Sequence, residues 1–295
     1  MSNEPKAPLV KLNSGNYIPV LGIGFYLTPE DEAANIAYEA LKTGYRMLDS
    51  AEAYANERGV AEGISRWLKE DPTHNKREDV FFTTKINDKF HGYEETKKAL
   101  KDSLEKTNKI GYINLVLVHS PQSNYEKRHG TWRALQEAVA DGSVKNIGVS
   151  NYGIKHLKEL LSYPDLKVKP VINQLELHPW LTRDELVDFC RKHGIAIEAY
   201  SPLTRAKKLD DPDLVKLASK YGKSPAQILI RWSLDKGFIP LPKTVHLPRL
   251  APNFDVFDFK LDAEDVKLLN GKNEDLKFCW DPTVYPLDNE KTEKK

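Results

Sequence analysis

Short hydrophobic runs recur along the chain, each bounded by polar residues, glycine or proline. An opening pair, VKL and YIPV, flanks Ser14-Gly15-Asn16 and predicts an N-terminal hairpin over residues 8–20. The later runs are too short for an isolated helix, rich in β-branched residues and apolar on both faces, which is typical of strands buried in a parallel sheet. Eight such runs occupy residues 21–25, 45–49, 79–85, 113–119, 144–150, 170–174, 195–200 and 237–243.

Amphipathic segments with helix signals separate these runs. The first begins after Thr28-Pro29 and carries acidic residues at positions 30–32, where the helix dipole favours them. It ends at Gly44, which can adopt the left-handed conformation of a helix cap. Similar signals bound two later segments: a capping-box pattern at Thr182 and Glu185 with Gly194 as the stop, and Ser224-Pro225 with Gly237 as the stop.

Eight strands alternating with helices in 295 residues predict an α/β fold, a closed (β/α)8 barrel of the TIM type. The alternative, an open doubly wound sheet, usually carries a G-x-G-x-x-G loop after its first strand. Here Gly22 and Gly24 lie inside the first run, with no third glycine behind them. No linker divides the chain, so we expect one domain over residues 1–295, with a C-terminal loop and a frayed, charged tail over 272–295.

The charge balance excludes several classes of function. With 44 basic and 43 acidic residues the net charge is +1, which argues against a nucleic-acid or polybasic membrane surface. Two cysteines, Cys190 and Cys279, cannot build a disulfide framework, and no Cys/His cluster predicts a metal site. The N-terminus lacks the apolar core of a secretory signal, so a cytoplasmic location is expected.

Polar residues follow the predicted strands, at the end of a barrel where active sites lie. Taken singly, each of these polar residues could cap a helix or lie in solvent at the end of its strand. As a set they are costly to bury unless they are paired or used. These residues are Asp49, Lys85, His119, Ser150 with Asn151, Gln174, Tyr200 and Lys243.

Tyr54 lies five residues beyond Asp49 and suggests a specific chemistry. A phenol is a poor acid, with an ordinary pKa of about 10, but a cation such as Lys85 favours its phenolate. Asp49 can hold that lysine, and His119 can donate a hydrogen bond to a carbonyl oxygen. Such a site protonates an oxygen as negative charge develops on it, and hydride from a nicotinamide would supply the electrons.

These residues and motifs resemble the aldo-keto reductase family, in particular its short-loop members such as diketogluconate and glyoxal reductases. The resemblance extends from the hairpin to about Asn270 and includes RMLDSA, EAYANE, FTTK, LVLVHSP, GSVKNIGVSNY, PVINQLELHPWL and EAYSPL. It implies NADPH-dependent reduction of aldehydes or ketones, with Tyr54 as general acid, His119 orienting the carbonyl, and Lys85 and Asp49 tuning Tyr54.

The resemblance also implies a cofactor site. Tyr200 would stack on the nicotinamide, Ser150, Asn151 and Gln174 would bind its carboxamide, and Ser201 and Leu203 would lie along the pyrophosphate. Ser201-Pro202 could equally form an ordinary turn, and Gln174 could simply satisfy the hydrogen bonds of other polar groups at the barrel mouth. Cations near the adenosine 2′-phosphate would favour NADPH over NADH. The residues implied there are Lys243, Thr244, Arg249 and Asn253, with Pro252 where many members carry glutamate.

Short loops follow His119 and Tyr200, which predicts an open pocket that releases cofactor readily. Only about a dozen residues separate His119 from the predicted helix TWRALQEAVADG. A moderately polar pocket formed by Tyr26, Asn87, Ser120 and Trp280 would suit activated carbonyls such as α-dicarbonyls or keto esters. Phe278 and Trp280 could close over substrate or pack against the barrel.

The sequence argues against two other functions: no extra docking segment accompanies the intact set of Asp49, Tyr54, Lys85 and His119, and no glycine-rich phosphate loop is present. A nucleotide-binding redox-sensing or partner-binding subunit would turn over slowly but keep the same residues. A phosphate-binding isomerase or aldolase barrel would need a glycine-rich loop where this chain has SPL and PKTVHLPR. We expect a small-molecule carbonyl substrate, no nucleic-acid or membrane partner, and a monomer or loose homodimer.

Overall fold

The computed structural model describes residues 7–291 and begins with the predicted hairpin. Strands β1 (Leu9–Lys11) and β2 (Tyr17–Pro19) pair antiparallel, and Gly15 makes the turn with a φ of 89°. Ile18 is fully buried and packs with the apolar residues inside the barrel. The hairpin therefore covers the end of the barrel opposite the carboxyl ends of its strands.

An eight-stranded parallel sheet follows, in which each strand pairs with the next one along the chain. Gly22 and Gly24 donate backbone hydrogen bonds to Pro240 and Pro242, and a bridge joins Gly24 to Lys243. These contacts close the sheet, so the predicted (β/α)8 barrel is confirmed. The strands are β3 (Ile23–Gly24), β4 (Met47–Asp49), β5 (Phe81–Ile86), β6 (Leu115–Val118), β7 (Ile147–Ser150), β8 (Ile172–Glu176), β9 (Ala196–Tyr200) and β10 (Ile239–Leu241).

Helices surround the barrel, and the signals at two of them act as predicted. Helix α1 begins after Pro29 and is capped by Gly44, whose φ of 117° few other residues adopt. Ser224 and Gln227 form a capping box at α8. The helices within residues 7–291 are α1 (Glu30–Thr43), α2 (Glu57–Glu70), α3 (Tyr93–Lys106), α4 (Tyr125–Ala140), α5 (Ile154–Leu161), α6 (Asp184–Lys192), α7 (Pro212–Tyr221), α8 (Pro225–Asp235), α9 (Leu250–Phe254), α10 (Ala263–Asn270) and α11 (Asp288–Lys291).

The start of α6 differs from its prediction. Arg183 is the N-cap residue, in the left-handed region with a φ of 47°, and no side chain caps the helix. Thr182 instead donates its hydroxyl hydrogen bond to Asp184, at 2.8 Å. The predicted capping box of Thr182 and Glu185 is therefore wrong, because the helix begins one residue later than that pattern requires.

Two other segments are more ordered than the sequence predicted. Helix α4 begins at Tyr125, where the Asn124 side chain caps it, so the loop after His119 is shorter than expected. The tail is helical over α11 and is tied to α4 because the Tyr125 N–H donates to Asp288 at 2.6 Å. The prediction of a frayed tail is therefore wrong for residues 288–291. Residues 292–295 lie outside the described part of the chain.

Two apolar layers hold the barrel together. The larger one lies between the strands and the surrounding helices, and the smaller one fills the barrel interior around Met47, Phe81, Leu117, Ile172 and Leu241. The interior layer gives way to polar residues toward the carboxyl ends of the strands. In the described residues no helix has both the length and the apolar character of a membrane span.

Candidate active site

Strand ends bring the predicted polar residues to one mouth of the barrel. Asp49, Ser150 and Tyr200 are the last residues of β4, β7 and β9. Lys85 and Gln174 lie near the ends of β5 and β8, and His119 follows β6 directly. Because parallel strands end at the same edge, residues far apart in sequence become neighbours here.

Lys85 and Asp49 form a buried ion pair at the centre of this group. Lys85 Nζ lies 2.5 Å from Asp49 Oδ1, and it also donates to the Ser50 carbonyl at 2.8 Å. Burial alone would lower the pKa of Lys85, but Asp49 and then Tyr54 more than offset it, and the net shift is upward. Lys85 is therefore charged at neutral pH.

Tyr54 lies on a short 3-10 helix beyond β4, with its ring centroid 5.1 Å from Lys85 Nζ. Burial raises the pKa of the Tyr54 hydroxyl, and Asp49 adds to this, whereas Lys85 lowers it by its charge and by hydrogen bonding. The net direction is upward, so burial outweighs the cation that the sequence suggested. The phenol is consequently protonated at neutral pH, as a proton donor must be.

His119 lies beside Tyr54, with a ring-centroid distance of 5.8 Å. Burial, and then the charge of Lys85, lowers the pKa of His119 to about 3, so the ring is neutral. Its Nδ1 is buried and has no hydrogen-bond partner in the part of the chain that is described. Buried N–H groups without a hydrogen-bond partner are rarer in proteins than buried acceptors without one. The ring proton is therefore favoured on Nε2, which leaves Nδ1 as the acceptor. His119 is then a hydrogen-bond donor and not an acid.

A hydrogen-bonded ring of polar side chains continues around the mouth. Tyr200 donates its hydroxyl hydrogen bond to Asn151 Oδ1 at 2.8 Å, and Asn151 Nδ2 donates to the His119 carbonyl at 3.0 Å. Ser150 donates to the Gln174 carbonyl at 2.9 Å. Asn151 has a φ of 60°, a left-handed conformation that asparagine tolerates better than most residues. These contacts fix the orientation of each group.

Gln174 connects this ring to a carboxyl group that the sequence analysis missed. Its Nε2 donates to Asp49 Oδ2 at 2.8 Å and to Glu198 Oε2 at 2.7 Å. Glu198 is fully buried in the middle of β9. A charged residue inside the apolar run IAIEAY was the signal that could have revealed it, since ionisable residues are rarely buried without a partner.

A cavity of about 630 Å³ opens above these residues. Arg205 and Cys279 also line it, although neither was expected from the sequence. The predicted residues that line it are Tyr26, Asp49, Tyr54, His119, Ser150, Asn151, Gln174, Tyr200, Ser201, Leu203, Lys243 and Trp280.

Two expected substrate residues lie away from the cavity. Asn87 caps a 3-10 helix by accepting a hydrogen bond from the Lys89 N–H at 3.1 Å. Ser120 is fully buried and donates to Asp88 at 2.7 Å. Neither residue is among those that line the cavity, because both side chains are used to hold the loops after β5 and β6.

Three residues expected at the far end of a cofactor follow Lys243 along the chain. Thr244 accepts a hydrogen bond from the His246 N–H at 3.0 Å, and Arg249 is exposed on a 3-10 helix. Asn253 is buried in α9. None of the three lines the cavity, whereas Lys243, which precedes them, does.

The two aromatic residues of the C-terminal segment have different positions. Phe278 packs against His178, with ring centroids 5.2 Å apart, and its N–H donates to Glu176 at 2.8 Å. Trp280 remains 46% exposed, lines the cavity and lies 6.3 Å from the His119 ring. Phe278 therefore packs on the barrel, and Trp280 forms part of the cavity wall.

Comparison with known proteins agrees with this architecture. The model of the Aldo/keto reductase family matches residues 21–274. An uncharacterized oxidoreductase of Saccharomyces cerevisiae is 45% identical over 276 residues, covering 94% of this chain and 98% of its own. The glyoxal reductase of Bacillus subtilis is 41% identical, covering 92% and 95%. The crystal structure of a Bombyx mori aldo-keto reductase in complex with NADP matches with a TM-score of 0.85 at 35% identity, covering 92% of this chain and 95% of that one.

Proposed function

This chain belongs to the aldo/keto reductase family of NADP(H)-dependent oxidoreductases, and we propose that it reduces aldehydes or ketones to alcohols with Tyr54 as general acid. One observation carries the proposal. A protonated, half-buried phenol and a neutral histidine line one cavity, and a buried lysine cation lies beside the phenol. That combination suits proton delivery to a carbonyl oxygen that is gaining negative charge.

Each of these residues has a separate part in the proposed step. His119 donates a hydrogen bond from Nε2 to the carbonyl oxygen and so orients it. Tyr54 gives its hydroxyl proton to the same oxygen as the alkoxide develops. Lys85 stabilises the phenolate that remains, and Asp49 holds Lys85 in place through their 2.5 Å contact. The proton that leaves Tyr54 ends on the product alcohol.

The residues of the cavity are compatible with a nicotinamide dinucleotide. When bound, NADPH supplies the hydride that adds to the carbonyl carbon. The ring of Tyr200 offers a stacking surface, and Gln174, with its nitrogen committed to two carboxyl groups, presents its oxygen as an acceptor for a carboxamide. Lys243 and Arg205 supply positive charge along the same cavity. Thr244, Arg249 and Asn253 would extend this site toward the adenosine 2′-phosphate.

The residues at the rim of the cavity support a proposal about the substrate class. Tyr26 is 51% exposed and Trp280 is 46% exposed, so two aromatic faces with polar edges flank the opening. Only residues 120–124 separate His119 from α4, so the loop on this side is short. We therefore propose α-dicarbonyls or keto esters as substrates, in keeping with the similarity to a glyoxal reductase. Rapid cofactor exchange should accompany the open mouth, and a slow clamping step in stopped-flow binding would contradict it.

The test is NADPH oxidation with methylglyoxal, an α-keto ester, an aldose and a plain aldehyde. Wild type is compared with Tyr54→Phe and with Tyr17→Phe, the same chemical change on the exposed hairpin. We expect wild type and Tyr17→Phe to turn over, whereas Tyr54→Phe loses activity by about a hundredfold or more but still binds NADPH by fluorescence.

Other results would redirect the assignment. NADPH binding without turnover in wild type would favour a nucleotide-binding redox-sensing or partner-binding subunit. A Tyr54→Phe variant that keeps full turnover would remove Tyr54 as the acid. A strong preference for long apolar aldehydes would contradict the proposed substrate class.

A further inference from the structure

Glu198 is a buried ionisable residue that the proposed chemistry leaves unused. It lies in the middle of β9, paired in register with Gln174 on β8 and with Ile239 on β10. Its side chain is fully buried, and Oε1 has no hydrogen-bond partner among the described residues. Burying a carboxyl group with one oxygen that lacks a hydrogen-bond partner costs free energy. A carboxyl group at this position, below the mouth of the barrel, is therefore expected to have a role.

The charges around Glu198 do not balance if it is ionised. The titratable side chains that face it are Asp49 from β4 and Lys85 from β5, with Tyr54 beyond them, while β8 and β10 offer Gln174 and apolar residues. Lys85 contacts Asp49 at 2.5 Å, and the structure shows no such contact to Glu198. Two carboxylates, one of them fully buried, would then share one cation.

The hydrogen bonds decide which carboxyl group carries the proton. Asp49 accepts from both Lys85 and Gln174, whereas Glu198 accepts only from Gln174. Burial, and then the charge of Asp49, raises the pKa of Glu198 to about 8, although Gln174 and Lys85 act in the opposite direction. Asp49 therefore holds the negative charge, and Glu198 is neutral at pH 7.

Glu198 also determines how Gln174 presents its amide. Both hydrogens of an amide nitrogen can be used at once, and here the two acceptors are Asp49 Oδ2 and Glu198 Oε2. With the nitrogen held between two carboxyl oxygens, the Gln174 oxygen must point the other way. Gln174 lines the cavity, so this oxygen is available to an amide donor there.

We propose that Glu198 is a positioning residue of the reductase site, which as a neutral acid fixes the Gln174 amide for the cofactor and leaves the charge of Lys85 to act on Tyr54. When Glu198 ionises, a second negative charge appears beside the Asp49–Lys85 pair. That charge offsets the effect of Lys85 and strengthens the hold of Tyr54 on its proton, which slows reduction. This inference rests on the proposed function of the site.

Two substitutions separate the contributions of Glu198. Glu198→Gln keeps the shape and the acceptor oxygen but cannot ionise, and Glu198→Leu removes the acceptor. Glu57→Gln is the matched control, because Glu57 is also a buried carboxyl group but bonds to Thr84 and does not line the cavity. Circular dichroism and thermal unfolding show whether each variant is folded.

The pH profile of kcat/KM is the main measurement. In wild type and in Glu57→Gln, we expect kcat/KM to fall about tenfold as the pH rises through 8 to 9.5. In Glu198→Gln, kcat/KM should fall by less than about threefold over the same range. At pH 7 the NADPH Kd from fluorescence quenching should rise about tenfold in Glu198→Leu and much less in Glu198→Gln. A purely structural role would change thermal stability without moving the pH profile.

Infrared spectra test the charge state without using activity. At pH 7 the wild-type minus Glu198→Gln difference spectrum should contain the C=O stretch of a protonated carboxylic acid. Its absence would overturn the inference, and so would an alkaline fall in Glu198→Gln equal to that of wild type. If wild type turns over and Tyr54→Phe does not, those results refute only the role of Glu198. If wild type does not bind NADPH at all, both proposals fall together.

Discussion

Replacing Asp49 by asparagine and Lys85 by methionine, singly and together, measures how strongly the central ion pair is coupled. Lys85 and Asp49 are 1% and 6% exposed in their side chains, so neither charge is screened by solvent. Each single substitution leaves the other charge buried without its partner. The double substitution removes both charges and leaves neutral groups of similar size.

The expected magnitude follows from the geometry. Two unit charges 2.5 Å apart attract by roughly 7 kcal/mol at an effective dielectric constant of about 20, and part of this offsets the cost of desolvation. Breaking a buried pair from one side costs about 3–5 kcal/mol. We expect each single variant to lose that much free energy of unfolding, and the double variant to lose about 3 kcal/mol less than the sum of the two.

Urea unfolding followed by circular dichroism at pH 7 gives these free energies. The pKa of Lys85 is raised in the folded protein, so its contribution is complete below the ordinary lysine value of 10.5 and is lost only as pH rises through the raised value. The measurement is made at pH 7 because Glu198, with a pKa of about 8, would add a second negative charge beside the pair at higher pH. Lys101 and Glu105, 3.9 Å apart and 80% and 67% exposed, form the control pair, with an expected coupling of about 0.3–0.5 kcal/mol.

Additive losses would refute this reasoning. If the double variant loses the sum of the single losses within about 0.5 kcal/mol, the pair contributes nothing beyond its separate side chains. A coupling as small as that of Lys101 and Glu105 would have the same meaning. Asp49 would then have to act on Tyr54 by some route other than holding Lys85.

Three further predictions concern other parts of the molecule. Because the pKa of His119 is lowered to about 3, kcat/KM should show no histidine limb near about pH 6.5, and a limb there that disappears in His119→Gln would contradict a neutral ring. Lys243→Met should raise the Kd of NADPH about tenfold in titration calorimetry and that of NADH less, whereas equal losses would exclude a contact with the 2′-phosphate. Gly63→Ala should lower the free energy of unfolding by about 1–3 kcal/mol, because the new Cβ would lie 2.7 Å from Ala37 Cβ and 3.0 Å from the Tyr38 nitrogen. A raised melting temperature would mean that α1 and α2 separate easily.

Local patterns were sufficient to predict most of the architecture. Each of the eight apolar runs overlaps a strand, since a short run that is apolar on both faces can be satisfied only inside a covered sheet. Gly44 ends α1 and Ser224 begins α8 because these signals depend on a few neighbouring residues. Thr182 misled the prediction because the capping-box signature does not reveal that the helix begins one residue later, after an N-cap residue whose side chain makes no cap.

The order of the strands also determined which polar residues would meet. In a barrel of sequential parallel strands, Asp49, Lys85 and His119 must reach one mouth, whatever the details of packing. Tyr54 follows Asp49 closely enough for a short 3-10 turn to bring it to the same place. Their proximity was therefore predictable, whereas the upward shift in the pKa of Tyr54 depends on burial that the sequence does not display.

Contacts between distant segments were decided only by the closed tertiary structure. Gln174 bonds to Asp49 across 125 positions of the chain, and the Phe278 N–H bonds to Glu176 across 102. Such contacts depend on the register of the strands and on the path of the C-terminal segment, which no local pattern specifies. The sequence alone therefore determined the barrel and the polar residues at its mouth, because these depend on local patterns and on the order of the strands. The burial of Glu198, the withdrawal of Asn87 and Ser120 into loop contacts, and the position of Trp280 beside the cavity arose only when the barrel closed around them.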